Sequence, residues 1–199
     1  MSIPKPIETD YKEYRFRSRL EARWAVFFDS YGIQHDNELD SFELSNGQWY
    51  LPEFYLPELN VYVDVKPNKN FQLGDLKKIE EFALIDGNNL LLIIGKPASE
   101  YMVLFNNKKC SVSLLDEYIA ENEFGLSEEE IVAEYIDNAI EISLVEFNRD
   151  PLNNNLLLTY KKRCPNDEII FKTSLLKAKM ERFLWSLHIK QKNRLIWPA

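Results

Sequence analysis

The segment that most constrains the fold is a strand signal at residues 61–66, in which valines alternate with tyrosine, aspartate and lysine. Asn60 precedes this segment, and Pro67, which has no backbone N–H for a β-ladder, ends it. Successive side chains of a strand point to opposite faces, so Asp64 and Lys66 share one face and the valines share the other. The sequence therefore predicts a β-strand over residues 61–66.

The elements around this strand predict an α/β fold. A helical pattern of apolar residues opens at Ser18 and ends at Gly32, and Asn46-Gly47 is typical of a two-residue hairpin turn. Helical spacing of apolar residues predicts a second helix over residues 72–85. The remaining predicted strands are residues 33–44, 49–55, 90–94 and 101–105. The order α-β-β-β-α-β-β indicates a mixed sheet with helices packed on it.

The pattern changes after residue 110, and we predict a boundary there, with a core at 1–110 and a mostly helical extension at 111–199. Ser127 followed by Glu130 is a capping-box signal for a helix that reaches about residue 146. An asparagine-rich segment, 148–155, predicts a loop, and residues 169–188 predict a further helix.

Charge is distributed unevenly along the chain, whose formal net charge is −8. Residues 111–155 carry 12 acidic and 1 basic side chains, whereas residues 156–199 carry 3 acidic and 10 basic ones. A polyanion can approach the basic end while the rest of the surface repels it, so the acidic total does not exclude nucleic acid as a partner.

Composition excludes several other classes. Hydrophobic residues make up 45% of the chain, which argues against disorder, and the longest aliphatic run, 90–94, is too short to cross a bilayer. The N-terminus has no apolar segment typical of secretion. Two distant cysteines, Cys110 and Cys164, indicate reduced thiols. We therefore expect a cytoplasmic protein with no membrane association.

Two carboxylates and a lysine form the most informative constellation. Glu53 lies on the predicted return strand of the hairpin, and if this strand pairs with the next one, Glu53 approaches Asp64. Carboxylates this close repel each other unless a cation lies between them, and oxygen ligands favour Mg²⁺ or Mn²⁺. The carbonyl of Val65 is a further candidate metal ligand, and Lys66 adds positive charge beside the site. These groups suit phosphodiester hydrolysis.

The motif Pro52-Glu53, ten residues, then Asp64-Val65-Lys66 resembles that of the PD-(D/E)XK nuclease superfamily. The helix opening at residues 17–24 is similar to that of its small phage and bacterial members, and "YLPEF" before "VDVKP" is similar to the endonuclease subunit of cut-and-paste transposons. The resemblance covers residues 15–105. It implies a restriction-endonuclease-like fold and a Mg²⁺- or Mn²⁺-dependent DNA endonuclease. Its catalytic and metal-binding residues would be Glu53, Asp64 and Lys66, with Glu21 close to the metal. One departure is that Glu53 stands where the family usually has aspartate.

Each of these residues also has a structural interpretation. Glu21 with Ser18 forms a capping-box pattern, which is compatible with a place near the metal. Asp64 and Lys66 could form an ion pair on a solvated strand face. The protein could thus be a nuclease-fold protein without catalysis that binds nucleic acid or a protein partner, or a nuclease subunit that is active only within a larger complex.

Two basic clusters are candidate nucleic-acid contacts. One surrounds the start of the first helix and the other lies in the C-terminal tail, and either could instead pair with the many acidic residues. The aromatic residues of the tail could stack on bases or hold the tail to the core. The C-terminal extension could also bind a protein partner, and a homodimer is compatible with the sequence. The candidate contact residues are Arg17, Arg19, Arg23, Lys161, Lys162 and Arg163.

Overall fold

A computed structural model describes residues 6–37, 41–68, 71–85, 87–97, 101–106, 115, 119, 125–143 and 145–159. The described residues fall into two compact units. One contains residues 6–33 with Lys96 and Pro97, and the other contains the described residues of 34–95 and 99–164.

The first unit consists of a β-hairpin and a helix. Strands β1 (Thr9–Tyr11) and β2 (Tyr14–Phe16) pair antiparallel, and helix α1 spans Arg19–Tyr31. The sequence predicts this helix, and the structure confirms it; the hairpin before it has no counterpart among the predicted elements.

The ends of helix α1 follow the capping signals in the sequence. The hydroxyl of Ser18 accepts a hydrogen bond from the Glu21 N–H at 3.2 Å, which satisfies one of the free donors of the first turn. Gly32 closes the helix with φ +76°, a left-handed conformation that glycine adopts without strain.

The second unit contains the remaining elements. In chain order these are β3 (Asp36–Asn37), β4 (Phe42–Glu43), β5 (Trp49–Tyr50), β6 (Phe54–Leu56), β7 (Val61–Lys66), α2 (Leu73–Leu84), β8 (Asn89–Ile94), β9 (Tyr101–Asn106), α3 (Glu128–Ser143), β10 (Glu146–Arg149) and β11 (Leu156–Thr159). A five-stranded sheet has the order β3-β6-β7-β8-β9. Strands β7 and β8 are parallel and joined through α2, while the other neighbours are antiparallel. The mixed α/β class is therefore confirmed.

Helices α2 and α3 share one hydrophobic core with the sheet. The predicted apolar face of α2 is buried, as is a set of residues from β8 and β9. Helix α3 begins after Ser127, whose hydroxyl and N–H both bond the Glu130 carboxylate, as the capping box predicted. The core includes Leu76, Ile79 and Phe82 of α2, Leu90, Leu92, Val103 and Phe105 of the sheet, and Ile131, Val132 and Ile136 of α3.

The predicted return strand 49–55 is wrong as a single element. It is split into β5, which pairs with β4, and β6, which pairs with β3 and β7. The break falls at residues 51–53, where Pro52 has no N–H to continue a ladder. The hairpin turn also differs, since Leu44 N–H bonds the Gln48 carbonyl at 2.8 Å, so the loop holds three residues rather than two. Gly47, at φ +76°, supplies the left-handed position of this loop.

Two other predictions need correction. Residues 33–44 form only the short strands β3 and β4 in their described part, not one long strand. The predicted loop 148–155 is confirmed over residues 150–155, while residues 148 and 149 belong to β10, which pairs with β11 in an antiparallel hairpin that was not predicted. The predicted helix 169–188 lies outside the described residues. None of the described helices has the length and apolar character that crossing a membrane requires.

Candidate functional site

Asp64 lies at the centre of the sheet, on β7. This strand is paired on both sides, by β6 and by β8, where Asp64 is opposite Leu92. Lys66, two residues further on, points to the same face, and its Nζ lies 3.1 Å from Asp64 Oδ1. The side chains are 4% and 21% exposed for Asp64 and Lys66, respectively. The pair is thus a buried carboxylate with a partly accessible ammonium group, and not an ion pair on a solvent-exposed strand face.

Glu53 is fixed to the residues on either side of Asp64. Its backbone N–H donates to the Val63 carbonyl at 2.9 Å, and its Oε2 accepts from the Val65 N–H at 2.6 Å. Glu53 lies in the break between β5 and β6, directly before β6 begins, and its carboxylate reaches the Val65 N–H of β7. Glu53, Asp64, Val65 and Lys66 are therefore close together.

Tyr50, which the sequence analysis did not single out, also contacts Asp64. Its hydroxyl donates to Asp64 Oδ2 at 2.7 Å, and its ring centroid lies 5.0 Å from that of Phe82 on α2. In the sequence Tyr50 resembles an ordinary core residue of an alternating strand. The available signal was general, because a buried tyrosine hydroxyl usually needs a polar partner.

The electrostatics of the site depend on a third acid, Asp75, which was also missed. It lies in the first turn of α2, where a carboxylate is favoured by the helix dipole, so its sequence context suggests only a helix start. Its negative charge nevertheless raises the pKa of both Lys66 and Tyr50. The acids of β7, of the preceding loop and of α2 thus act on one region.

Burial and charge have opposite effects on Lys66. Burial is the largest single influence and acts to lower the pKa of the ammonium group, but the attraction to Asp64, then to Glu53 and Asp75, outweighs it and raises the pKa. Lys66 is therefore a cation at neutral pH. The pKa of Tyr50 is raised well above its usual value, mainly by burial and then by Asp64, so the hydroxyl stays a donor.

The donor set fits a hard divalent cation with few protein ligands. Asp64 Oδ1 is buried, and the ammonium group of Lys66 lies 3.1 Å from it as its charge partner. Across the described residues, no group of three or more His, Cys, Asp or Glu side chains is placed to hold a metal ion. Mg²⁺ commonly uses one or two carboxylates, keeps several waters and takes substrate phosphates as further ligands, so Asp64 and Glu53 can suffice. The part assigned to the Val65 carbonyl stays a prediction.

The other predicted site residues lie in the first unit or outside the described residues. Glu21 is in the first unit, where its Oε2 accepts from the Arg17 N–H at 3.1 Å, so its carboxylate bonds the residue before Ser18 and not Ser18 itself. Arg17 is exposed, and Arg19 and Arg23 are half-buried in the same unit. Their roles near a metal or a phosphate stay predictions. The second basic cluster, Lys161, Lys162 and Arg163, lies outside the described residues.

Comparisons of the chain with protein-family models, with curated proteins and with solved structures gave no match. The chemistry of the site therefore carries the functional argument. It combines one buried and one half-buried carboxylate, a lysine that stays charged, and a tyrosine donor, at the centre of a mixed sheet.

Proposed function

We propose that this protein is a Mg²⁺- or Mn²⁺-dependent nuclease that hydrolyses phosphodiester bonds, with a site of the PD-(D/E)XK type. The observation that carries the proposal is the cluster at β7, in which Lys66 pairs with the buried carboxylate of Asp64 and the carboxylate of Glu53 accepts from the N–H of the next residue, Val65. A purely structural ion pair would not require a second carboxylate fixed beside the first by a hydrogen bond to the strand.

Each residue has a distinct role in this proposal. Asp64 and Glu53 would hold the cation through their carboxylate oxygens. The bound cation would supply a water of lowered pKa and neutralise charge on the phosphate oxygens. Lys66, whose pKa is raised, does not act as a base; its ammonium group donates to the attacking water or to a phosphate oxygen and stabilises the negative charge that develops there.

The substrate class follows from charge and from the resemblance. The basic residues near the start of α1 and in the C-terminal tail are the groups we propose to bind a nucleic-acid backbone, and DNA is the polymer that the resemblance implies. Glu21 would lie close to the metal, as the resemblance also implies. The PD-(D/E)XK assignment and the restriction-endonuclease-like fold are likewise part of the proposal.

The deciding experiment compares wild-type protein with Lys66→Ala on labelled DNA and RNA of several structures, with and without Mn²⁺. We expect Mn²⁺-dependent cleavage by the wild type and none by the variant, since the variant lacks the charge that stabilises the reacting phosphate. Lys77→Ala, an exposed position on α2, is the matched control and should cleave normally. Circular dichroism checks that each variant is folded. Full activity in Lys66→Ala would refute the assignment of Lys66.

A second candidate function is favoured by the environment of Glu53. The carboxylate replaces the usual aspartate of the motif, and its Oε2 is already bonded to the Val65 N–H. This arrangement is also what a nuclease-fold binding protein, or a subunit completed by a partner, would retain. Nucleic-acid binding with no metal-dependent cleavage by the wild type would favour this alternative, and cleavage only after a partner is added would identify a subunit.

A further inference from the structure

The tyrosine beside Asp64 has a role that the carboxylate motif does not supply. Asp64 Oδ2 is bonded to the Tyr50 hydroxyl at 2.7 Å, whereas Oδ1 faces the ammonium group of Lys66 at 3.1 Å. Because each oxygen has a different neighbour, rotation of the carboxylate would break one or both contacts. The Tyr50 hydroxyl thus fixes the rotation of the Asp64 carboxylate about its Cβ–Cγ bond, with one oxygen on Tyr50 and the other toward Lys66.

The position of Tyr50 is in turn set by helix α2. The Tyr50 ring packs against the Phe82 ring, with centroids 5.0 Å apart. Phe42, which pairs with Tyr50 across the β4–β5 hairpin, also packs on the Phe82 ring, with centroids 4.9 Å apart. A tyrosine held on its face by one ring and at its backbone by a paired strand has little freedom to move its hydroxyl.

The turn of the same hairpin is bonded to α2 through Glu81, the residue before Phe82. One oxygen of Glu81 accepts from the Ser45 N–H at 2.5 Å and from the Ser45 hydroxyl, and the other lies 3.4 Å from Asn46 Nδ2. Two consecutive residues of α2 therefore hold both ends of the hairpin, one at the turn and one beneath Tyr50.

We propose that Tyr50 is a positioning residue for Asp64, and that Glu81 supports it by fixing the β4–β5 hairpin. This inference rests on the proposed function, because the consequence of a misplaced Asp64 is weaker binding of a divalent cation. Groups that orient a metal ligand typically contribute about 10- to 100-fold to metal affinity.

The chain offers a closely matched control. Tyr135 on α3 is as buried as Tyr50, at 7% exposure for each, and its hydroxyl also donates to a buried carboxylate, that of Glu80, at 3.1 Å. Tyr135→Phe removes the same atom and the same type of hydrogen bond away from Asp64. Any loss in Tyr50→Phe that is only a loss of stability should therefore appear in Tyr135→Phe as well.

The experiment measures Mn²⁺ binding by titration calorimetry and Asp64 geometry in metal-free crystals of wild type, Tyr50→Phe and Tyr135→Phe. We expect Tyr50→Phe to bind Mn²⁺ about 10- to 100-fold more weakly, with the Asp64 carboxylate rotated, and Tyr135→Phe to bind within about 2-fold of wild type. Glu81→Ala should weaken binding in the same direction and less strongly, while Glu134→Ala, exposed on α3, should not.

The outcomes separate the two proposals. Unchanged Mn²⁺ affinity and an unmoved Asp64 in Tyr50→Phe would overturn the positioning role while leaving the nuclease proposal intact. Equal losses in both tyrosine variants would also overturn it, since the effect would then be one of general stability. If wild type itself binds no Mn²⁺, the proposed function fails, and the rotation of Asp64 in the metal-free crystals decides whether Tyr50 positions it.

Discussion

Replacing Lys66 with methionine should destabilise the protein in a way that a divalent cation reverses. The substitution keeps the aliphatic stem and removes the ammonium group, leaving Asp64 buried with Glu53 and Asp75 as its nearby charges. Breaking a buried ion pair costs about 3–5 kcal/mol, and an exposed pair contributes at most about 1 kcal/mol. With side chains 4% and 21% exposed, this pair lies nearer the buried limit, so we expect a loss of about 2–4 kcal/mol at pH 7.

The assay is urea unfolding of wild type, Lys66→Met and the control Lys77→Met, with and without Mn²⁺. In the metal-free protein only Lys66→Met should lose stability. Mn²⁺ should restore it, because a bound cation takes the place of the ammonium group, and binding at 100 times Kd adds about 2.7 kcal/mol. Lys66→Met should also bind Mn²⁺ more tightly than wild type, since it lacks the competing positive charge.

The pH dependence of this difference has a defined sign. The pKa of Lys66 is raised in the folded protein by Asp64 and Glu53 against the effect of burial, so its contribution is complete below the unfolded pKa of 10.5 and is lost as pH rises through the folded value. The gap between wild type and Lys66→Met should therefore close only above about pH 10.5. A variant as stable as wild type at pH 7, or one that Mn²⁺ does not stabilise further, would refute the reasoning.

Two further predictions concern the scaffold of the second unit. Phe82→Ala removes a fully buried ring that contacts Phe42 and Tyr50, so the free energy of unfolding should fall by about 3–5 kcal/mol. Leu84→Ala, at an exposed position of the same helix, should change it by less than about 0.5 kcal/mol. Equal effects of the two substitutions in chemical denaturation would contradict the described core. The bonds from Ser127 lower the pKa of Glu130 below 4.5, so its contribution to the start of α3 is present above that pH and is lost as pH falls through the folded value. The melting temperatures of wild type and Glu130→Gln should thus approach each other as the pH is lowered from 7 to below 4.5, and a constant difference would argue against a contribution from the Glu130 charge.

The elements predicted well from the sequence are those whose signals are local. Helix α1 has a serine at its start and a glycine at its end, and β7 has alternating valines between Asn60 and Pro67. The residues at each boundary therefore predict it without knowledge of the rest of the fold. The strand face shared by Asp64 and Lys66 follows from the two-residue period alone.

The features that were missed depend on contacts between distant segments. Residues 49–55 have a strand pattern that Pro52 interrupts, and the choice of partners, β4 for one half and β3 and β7 for the other, makes two strands of them. Tyr50 becomes part of the candidate site through this split, and Asp75 through the packing of α2 beside β7. Neither residue carries a local mark of its role, because tyrosine in a strand and aspartate at a helix start are both common.

The balance of charge at the site gives the strongest physical reason to expect a cation. Glu53, Asp64 and Asp75 act on one ammonium group, that of Lys66, so the cluster has a formal charge of −2. The Tyr50 hydroxyl contributes a dipole and not a charge, and its raised pKa keeps it neutral. Partly buried like charges repel one another over the distances of neighbouring strands, and a bound cation would reduce this repulsion. A divalent cation brings the formal charge to zero, which is why metal binding, and not cleavage alone, is the property that should be measured first.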